Sequence, residues 1–132
     1  METEEKNFND LRQKFTCKCG CGRNNTTDDF LSKISFAQTI TGIDYPITSG
    51  CRCPQHNVEV EGSQDSPSLY GAHADIANET PFNCFLIIKG LLMAGLERFR
   101  IYPHHIHVDQ HPTYPIPSFV WANYPPKIKK EV

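Results

Sequence analysis

The stretch from residue 104 to residue 109 reads His-His-Ile-His-Val-Asp and places imidazole and carboxylate groups at alternating positions. A second stretch, residues 71–76, reads Gly-Ala-His-Ala-Asp-Ile and has the same alternation. Residues two apart in a β-strand point to the same face, so each stretch can present its histidine and its acid together. Two such strands side by side would converge nitrogen and oxygen ligands, as in a zinc site with one position left for water. The side chains concerned are His73, Asp75, His105, His107 and Asp109.

Composition indicates an ordinary globular domain. The chain has 132 residues, of which 39% are hydrophobic and 21% are charged, which is typical of one domain with its own core. The net charge of −2 provides no basic surface for nucleic acid. Polar residues and a glycine interrupt the longest apolar run, residues 82–96, so we expect no membrane partner. The amino terminus is acidic rather than a secretory signal, and we expect a monomer in the cytoplasm of the producing cell.

Helix and turn signals surround the histidine stretches. Thr26-Thr27-Asp28-Asp29 supplies N-cap candidates and first-turn acids for a helix that ends at Gly42, and Thr80-Pro81 can open a second one. Short strands are expected at residues 45–48, 72–77, 99–102, 105–109 and 118–121, a long loop at 58–68, and an arm or short helix at 1–16. The pattern predicts an α+β fold, in which helices pack on one side of a small antiparallel sheet. We expect residues 1–132 to form a single domain with its core at about 15–121, between a polar arm and a polar tail.

Five of the six cysteines form two tight groups, residues 17–21 and residues 51–53. A reducing cytoplasm disfavours disulfides, which leaves thiolate metal binding as one interpretation. The other interpretation is a set of small thiols packed under a loop, because the C-x-C spacing differs from the C-x-x-C of common zinc knuckles. The residues of this possible second, structural metal site are Cys17, Cys19, Cys21 and Cys53.

Several motifs occur in a fixed order along the chain. They are Ser49-Gly50 with Arg52, His56-Asn57, Gly71 with Ala74-Asp75-Ile76, and His107-Val108-Asp109. In this order they resemble the zinc D-Ala-D-Ala carboxypeptidase family, which has the Hedgehog/DD-peptidase fold. The opening, residues 15–22, is similar to the start of phage members, so the resemblance is closest to endolysin-type cell-wall peptidases. It covers roughly residues 15–121.

The resemblance implies a zinc ion with three protein ligands. Asp75 and His107 match two of the family's ligand positions, whereas the position of the first histidine is occupied by Ser68, whose hydroxyl is a poor zinc ligand. His73 stands where the family usually has a small residue, and in a strand it shares a face with Asp75. We therefore hypothesise a relocated ligand, so that His73, Asp75 and His107 bind Zn²⁺. The alternative is that His73 is a packing or surface histidine.

The resemblance also implies catalytic roles for other residues. His104 stands at the position of the family's general base, usually an acid, and a histidine can take a proton near neutral pH. His105 matches a histidine that can stabilise a developing oxyanion. Arg52 matches the arginine that binds a substrate carboxylate. The alternative for both histidines is a solvated residue in a turn.

These features predict a zinc metallopeptidase that cleaves the peptide stems of bacterial peptidoglycan, of the D,D-carboxypeptidase or endopeptidase type. We expect a phage or viral lysis or entry protein that acts on the wall after release or as a virion component. A second hypothesis is a catalytically degenerate member that binds the cell wall or serves as a virion structural protein. A third is a metal or redox module based on the cysteines.

Overall fold

The computed structural model describes residues 2–59, 71–110 and 119–122. Within these ranges the elements follow in the order α1 (Glu2–Gln13), α2 (Asp28–Thr41), β1 (Ile47–Ser49), α3 (Pro54–Glu59), β2 (His73–Ala77), α4 (Pro81–Met93), β3 (Arg98–Ile101), β4 (His105–Asp109) and β5 (Phe119–Ala122). None of the helices in these ranges has the length and hydropathy that a transmembrane segment needs.

The strands of the described ranges form one five-stranded sheet in the order β1-β2-β4-β3-β5. The first three pairings are antiparallel, which confirms the predicted α+β class, but β5 pairs parallel with β3. This parallel edge differs from the expected all-antiparallel sheet. Strand β3 lies between β4 and β5. Since β3 is antiparallel to β4 and parallel to β5, β5 and β4 run in opposite directions without being neighbours. A sequence pattern predicts strands but not their order in the sheet.

The helices pack on one face of the sheet, as expected. That face carries apolar side chains from β2, β3 and β4, and most of the remaining core comes from helices α1, α2 and α4 and from the segments that connect the elements. Burying one such side chain contributes roughly 1.5–3 kcal/mol to folding. The core residues of the sheet are Ala74, Ile76, Phe99, Ile106 and Val108. The alternate positions of β2 and β4 face the other way and carry the histidines and acids.

Both predicted helix starts are confirmed. The hydroxyl of Thr27 accepts a hydrogen bond from the backbone N–H of Phe30 at 3.2 Å, and that of Thr80 accepts one from Asn83 at 3.0 Å. Each cap contributes about 1 kcal/mol. These caps mark the points at which α2 and α4 begin.

Helix α3 was not predicted. Its last two residues fall in the expected loop at 58–68, and the remainder of that loop lies outside the described residues. The helix has only six residues, too few for an apolar periodicity to be detectable. Pro54 at its first position is the one local signal, since proline is favoured there.

Candidate metal centre

Strands β2 and β4 pair in a register that places Asp75 opposite His107 and His73 opposite Asp109. Directly opposed residues of an antiparallel pair project their side chains to the same face. The four polar groups therefore lie together on the face of the sheet that turns away from the helices. Two of them are buried, with His73 at 2% and Asp109 at 3% exposure.

Three of these side chains direct one ligand atom each toward a common point. Nε2 of His73 lies 3.1 Å from Oδ1 of Asp75, and Nδ1 of His107 lies 3.0 Å from the same oxygen. All three ligand atoms are within 4.8 Å of one another. Around a tetrahedral zinc ion with bonds of about 2 Å, neighbouring ligands are about 3.3 Å apart. Two imidazoles and one carboxylate therefore fit a zinc ion and leave its fourth position open.

The backbone of the preceding loop fixes the orientation of His73. Its Nδ1 lies 2.9 Å from the carbonyl oxygen of Gly50. A carbonyl can only accept, so Nδ1 carries the proton and Nε2 is the nitrogen that can offer a lone pair to a metal. Histidines that bind metals are oriented in this way by a hydrogen bond on the other ring nitrogen.

A carboxylate orients His107. Nε2 of His107 lies 2.6 Å from Oδ2 of Asp109, and Oδ1 of Asp109 accepts a hydrogen bond from Nε of Arg98 at 2.7 Å. With Nε2 committed to Asp109, Nδ1 is the atom that faces Asp75. In many zinc sites a carboxylate orients a metal-binding histidine in this way.

The charges of this group depend on one another. Burial alone would raise the pKa of Asp75, but hydrogen bonds from His107 and His73 and their positive charges lower that pKa well below its usual value. Burial alone would lower the pKa of His107, but hydrogen bonds to Asp109 and Asp75 outweigh it and raise that pKa. Without a metal, the group is therefore held together by a protonated His107 between two carboxylates. A metal ion must displace that proton in order to bind.

The two histidines expected to assist catalysis lie in different environments. His104 is exposed in the bend before β4, three residues from His107, or about 10 Å along an extended strand. His105 is half-buried, and its ring stacks on Tyr102 with centroids 4.4 Å apart. Alternation along β4 places His105, rather than His104, on the same face as His107.

Arg52 lies in the loop that joins β1 to α3 and is half-buried. Burial lowers the pKa of its guanidinium, while the negative charges of Asp75 and Cys17 act in the opposite direction. The guanidinium is therefore within electrostatic reach of Asp75. Gly50, which holds His73, belongs to the same loop, so this loop supplies both a cation and a positioning carbonyl.

Sequence reasoning missed two arginines of β3. Arg98 anchors Asp109 as described, and Arg100 pairs with His107 across the sheet, which places it on the site face. Arg98 and Arg100 are two residues apart in β3, the strand that follows α4 and precedes the histidines of β4. This spacing could have indicated that both arginines lie on one face of the sheet. Ser68, which occupies the family's first ligand position, lies outside the described residues.

The cysteine groups also come together. Sγ atoms of Cys17, Cys19, Cys21 and Cys53 all lie within 4.8 Å of one another. Cys51 is separate: its thiol is buried and donates a hydrogen bond to Oδ1 of Asn25 at 2.8 Å. None of the six cysteines, all of which lie in described ranges, forms a disulfide.

The fold and this site together define an α+β protein with a His-Asp-His group suited to hydrolytic metal chemistry. The sequence model of the family described as Peptidase M15 matches residues 6–109, which include β2, β4 and the cysteine cluster. No curated protein and no solved structure matches the chain significantly. The chain belongs to the peptidase M15 family, whose members are zinc-dependent peptidases.

Proposed function

We propose that this protein is a zinc-dependent peptidase that cleaves the peptide stems of bacterial peptidoglycan, with D,D-carboxypeptidase or endopeptidase activity. The observation that carries the proposal is the convergence of His73, Asp75 and His107 on one point, with the remaining imidazole nitrogens already committed to Gly50 and Asp109. Membership of the peptidase M15 family supports the choice of a peptidoglycan-type substrate.

The three converging residues would hold the metal. When bound, zinc acts as a Lewis acid that polarises a carbonyl and makes water acidic enough to attack near neutral pH. The protein contributes rigidity, because all three ligands lie on two adjacent strands of one sheet. Donors fixed in this way require little reorganisation during the reaction.

Arg52 is the candidate for binding a carboxylate of the substrate. A D,D-carboxypeptidase substrate ends in a free carboxylate, and a guanidinium binds that group through two parallel hydrogen bonds. The loop of Arg52 also positions His73 through Gly50, so substrate binding and metal binding share one segment of backbone.

His105 is the better placed of the two histidines for the developing oxyanion, since it shares the face of His107. His104, in the exposed bend, is the candidate for proton transfer through solvent. A pocket of about 330 Å³ beside this bend is lined by Asn78, Glu79, Thr80, Pro81, Cys84, Tyr102 and Pro103. It offers space next to His105, which stacks on Tyr102, for part of a stem peptide.

We assign the enzyme to phage or viral lysis or entry, because its opening Phe-Thr-Cys-Lys-Cys-Gly-Cys-Gly and its later motifs resemble those of phage wall peptidases. The decisive experiment is digestion of purified bacterial sacculi with added zinc and with chelator, followed by mass spectrometry of the soluble fragments. We expect zinc-dependent release of defined stem peptides or terminal D-alanine by the native chain, and none by the H107A variant. Equal release by both proteins would contradict the proposal.

A second function is favoured by one observation, the lack of any carboxylate between Glu97 and His107 where the family has its acid. A member that had lost catalysis would still bind the wall. In that case the sacculi would retain the protein in a pull-down, while no fragment would be released at any metal concentration or pH tested.

A further inference from the structure

We propose that Cys17, Cys19, Cys21 and Cys53 bind a second zinc ion as a structural tetrathiolate site. This inference concerns a separate part of the molecule and does not depend on the proposed peptidase activity. Three of the thiols belong to the turn that follows α1, and the fourth belongs to the loop before α3. The ion would therefore link two segments that are more than thirty residues apart.

The distances between the sulfur atoms agree with one tetrahedral ion. Sulfurs bound to zinc at about 2.3 Å lie about 3.8 Å from one another. Sγ of Cys19 is 3.5 Å from that of Cys17 and 3.6 Å from that of Cys53, and all four sulfurs lie within 4.8 Å. A disulfide needs a separation of about 2 Å and joins sulfurs only in pairs, so a cluster of four thiols within 4.8 Å of one another is better explained by a metal.

The backbone around the thiols has the form expected of a thiolate site. The N–H of Cys53 donates to Sγ of Cys17, and the N–H of Arg23 donates to Sγ of Cys21, both at 3.4 Å. Such hydrogen bonds to the ligand atoms orient them and offset their negative charge. Gly20 and Gly22 have φ angles of 92° and 81°, a left-handed conformation that allows the chain to fold around three closely spaced sulfurs.

The site would stabilise the loop that serves the histidine group. Next to the thiols, the N–H of Cys51 donates to the carbonyl of Phe15 at 2.8 Å, and Phe15 packs directly against Gly50. The carbonyl of Gly50 in turn accepts the hydrogen bond of His73. The tetrathiolate ion would thus hold the amino-terminal segment against the loop on which both Gly50 and Arg52 lie.

The test uses the full-length chain with cobalt in place of zinc, because thiolate ligands give an intense charge-transfer absorption that histidine and carboxylate ligands do not. We expect the native protein to show this band and to contain two zinc ions per chain by elemental analysis. The C19S variant should lose the band and one zinc ion. Cys19 is exposed, so the substitution removes little packing; C21S provides a second exposed position.

Two control variants separate this site from the histidine site. H107A should keep the charge-transfer band although it loses one zinc ion, and C84S, which removes a cysteine outside the cluster, should keep both ions. A band that survives in both C19S and C21S would overturn the proposal. Alkylation of the four thiols at the same rate with and without chelator would also overturn it. A native chain whose mass is lower by the two hydrogens lost in a disulfide would do the same.

Discussion

Nε2 of His107 lies 2.6 Å from Oδ2 of Asp109, two residues further along the same strand. Because alternate residues of a strand share a face, the local backbone geometry supplies the acid that orients this candidate metal ligand. Arg98, on the neighbouring strand, anchors the other oxygen of this carboxylate. The His-Val-Asp motif therefore combines a candidate metal ligand with the group that orients it.

We predict that D109N weakens zinc binding at the histidine site by about 10- to 100-fold, the usual effect of removing a group that orients a metal ligand. An asparagine is neutral and can present its amide N–H₂ to His107, which disfavours the required tautomer. The measurement is competition against a chromogenic zinc chelator. D44N, a change at an exposed acid outside the site, should leave the affinity unchanged.

Removing Arg98 should lower stability and zinc affinity, because Asp109 loses a hydrogen-bond donor. The R98A variant leaves Oδ1 of Asp109, a residue only 3% exposed, without its arginine donor, which costs about 1–3 kcal/mol of the free energy of unfolding. Urea unfolding of the metal-free protein measures this loss. In a double-mutant cycle, R98A and D109N should be strongly non-additive in zinc affinity. Additive effects would show that Arg98 does not act through Asp109.

The relocated ligand is tested by H73A. We expect this variant to lose the zinc ion of the histidine site while keeping the cobalt–thiolate absorption of the cysteine site, which shows that the chain is folded. H104A is the matched control, since it removes an exposed histidine from the bend before β4 and should retain both ions. Full zinc content in H73A would refute the role of His73 as a ligand.

The stability of the metal-free protein should depend on pH in two directions. The pKa of His107 is raised above its ordinary value of 6.5, so its contribution is complete below pH 6.5 and is lost as pH rises through the folded-state pKa. The pKa of Asp75 is lowered from 3.8, so its contribution is present above pH 3.8 and is lost as pH falls. Urea unfolding in chelator should show the decline on the alkaline side, and H107Q should abolish it.

The loop before α3 should be intolerant of even one added methyl group. A Cβ at Gly50 would lie 2.6 Å from Cδ2 and 2.8 Å from Cα of Phe15, so G50A must displace the loop. We expect a loss of about 1–3 kcal/mol in stability and weaker zinc binding, because the acceptor of His73 moves. S49A, one residue earlier, adds no atoms and should leave both quantities near their native values.

Much of the fold could be predicted from local signals. Thr27 and Thr80 mark helix starts because their hydroxyls satisfy unpaired backbone N–H groups, and alternation marks β2 and β4. Helix α3 and the parallel pairing of β5 could not be predicted. The helix is too short to show periodicity, and the order of strands depends on contacts between distant segments.

In the candidate site, too, local features could be predicted from the sequence and contacts between distant segments could not. The common face of His73 and Asp75 is a consequence of strand geometry that the sequence reveals, although their role as ligands stays a prediction until metal is measured. The contacts of Arg98 with Asp109 and of Gly50 with His73 join different elements, so no local sequence pattern predicts them. The exposed position of His104 likewise depends on where the bend before β4 falls.

The pairing of Asp75 with His107 spans 32 positions of the chain, and the contact of Gly50 with His73 spans 23. Contacts of such long range are slow to form, because the cost in entropy of closing the chain between them comes first. During synthesis, a nascent chain therefore cannot complete the three-ligand site until β4 has left the ribosome. Translation of His107, rather than of the amino-terminal cysteine segment, sets the earliest moment at which the His-Asp-His group can exist.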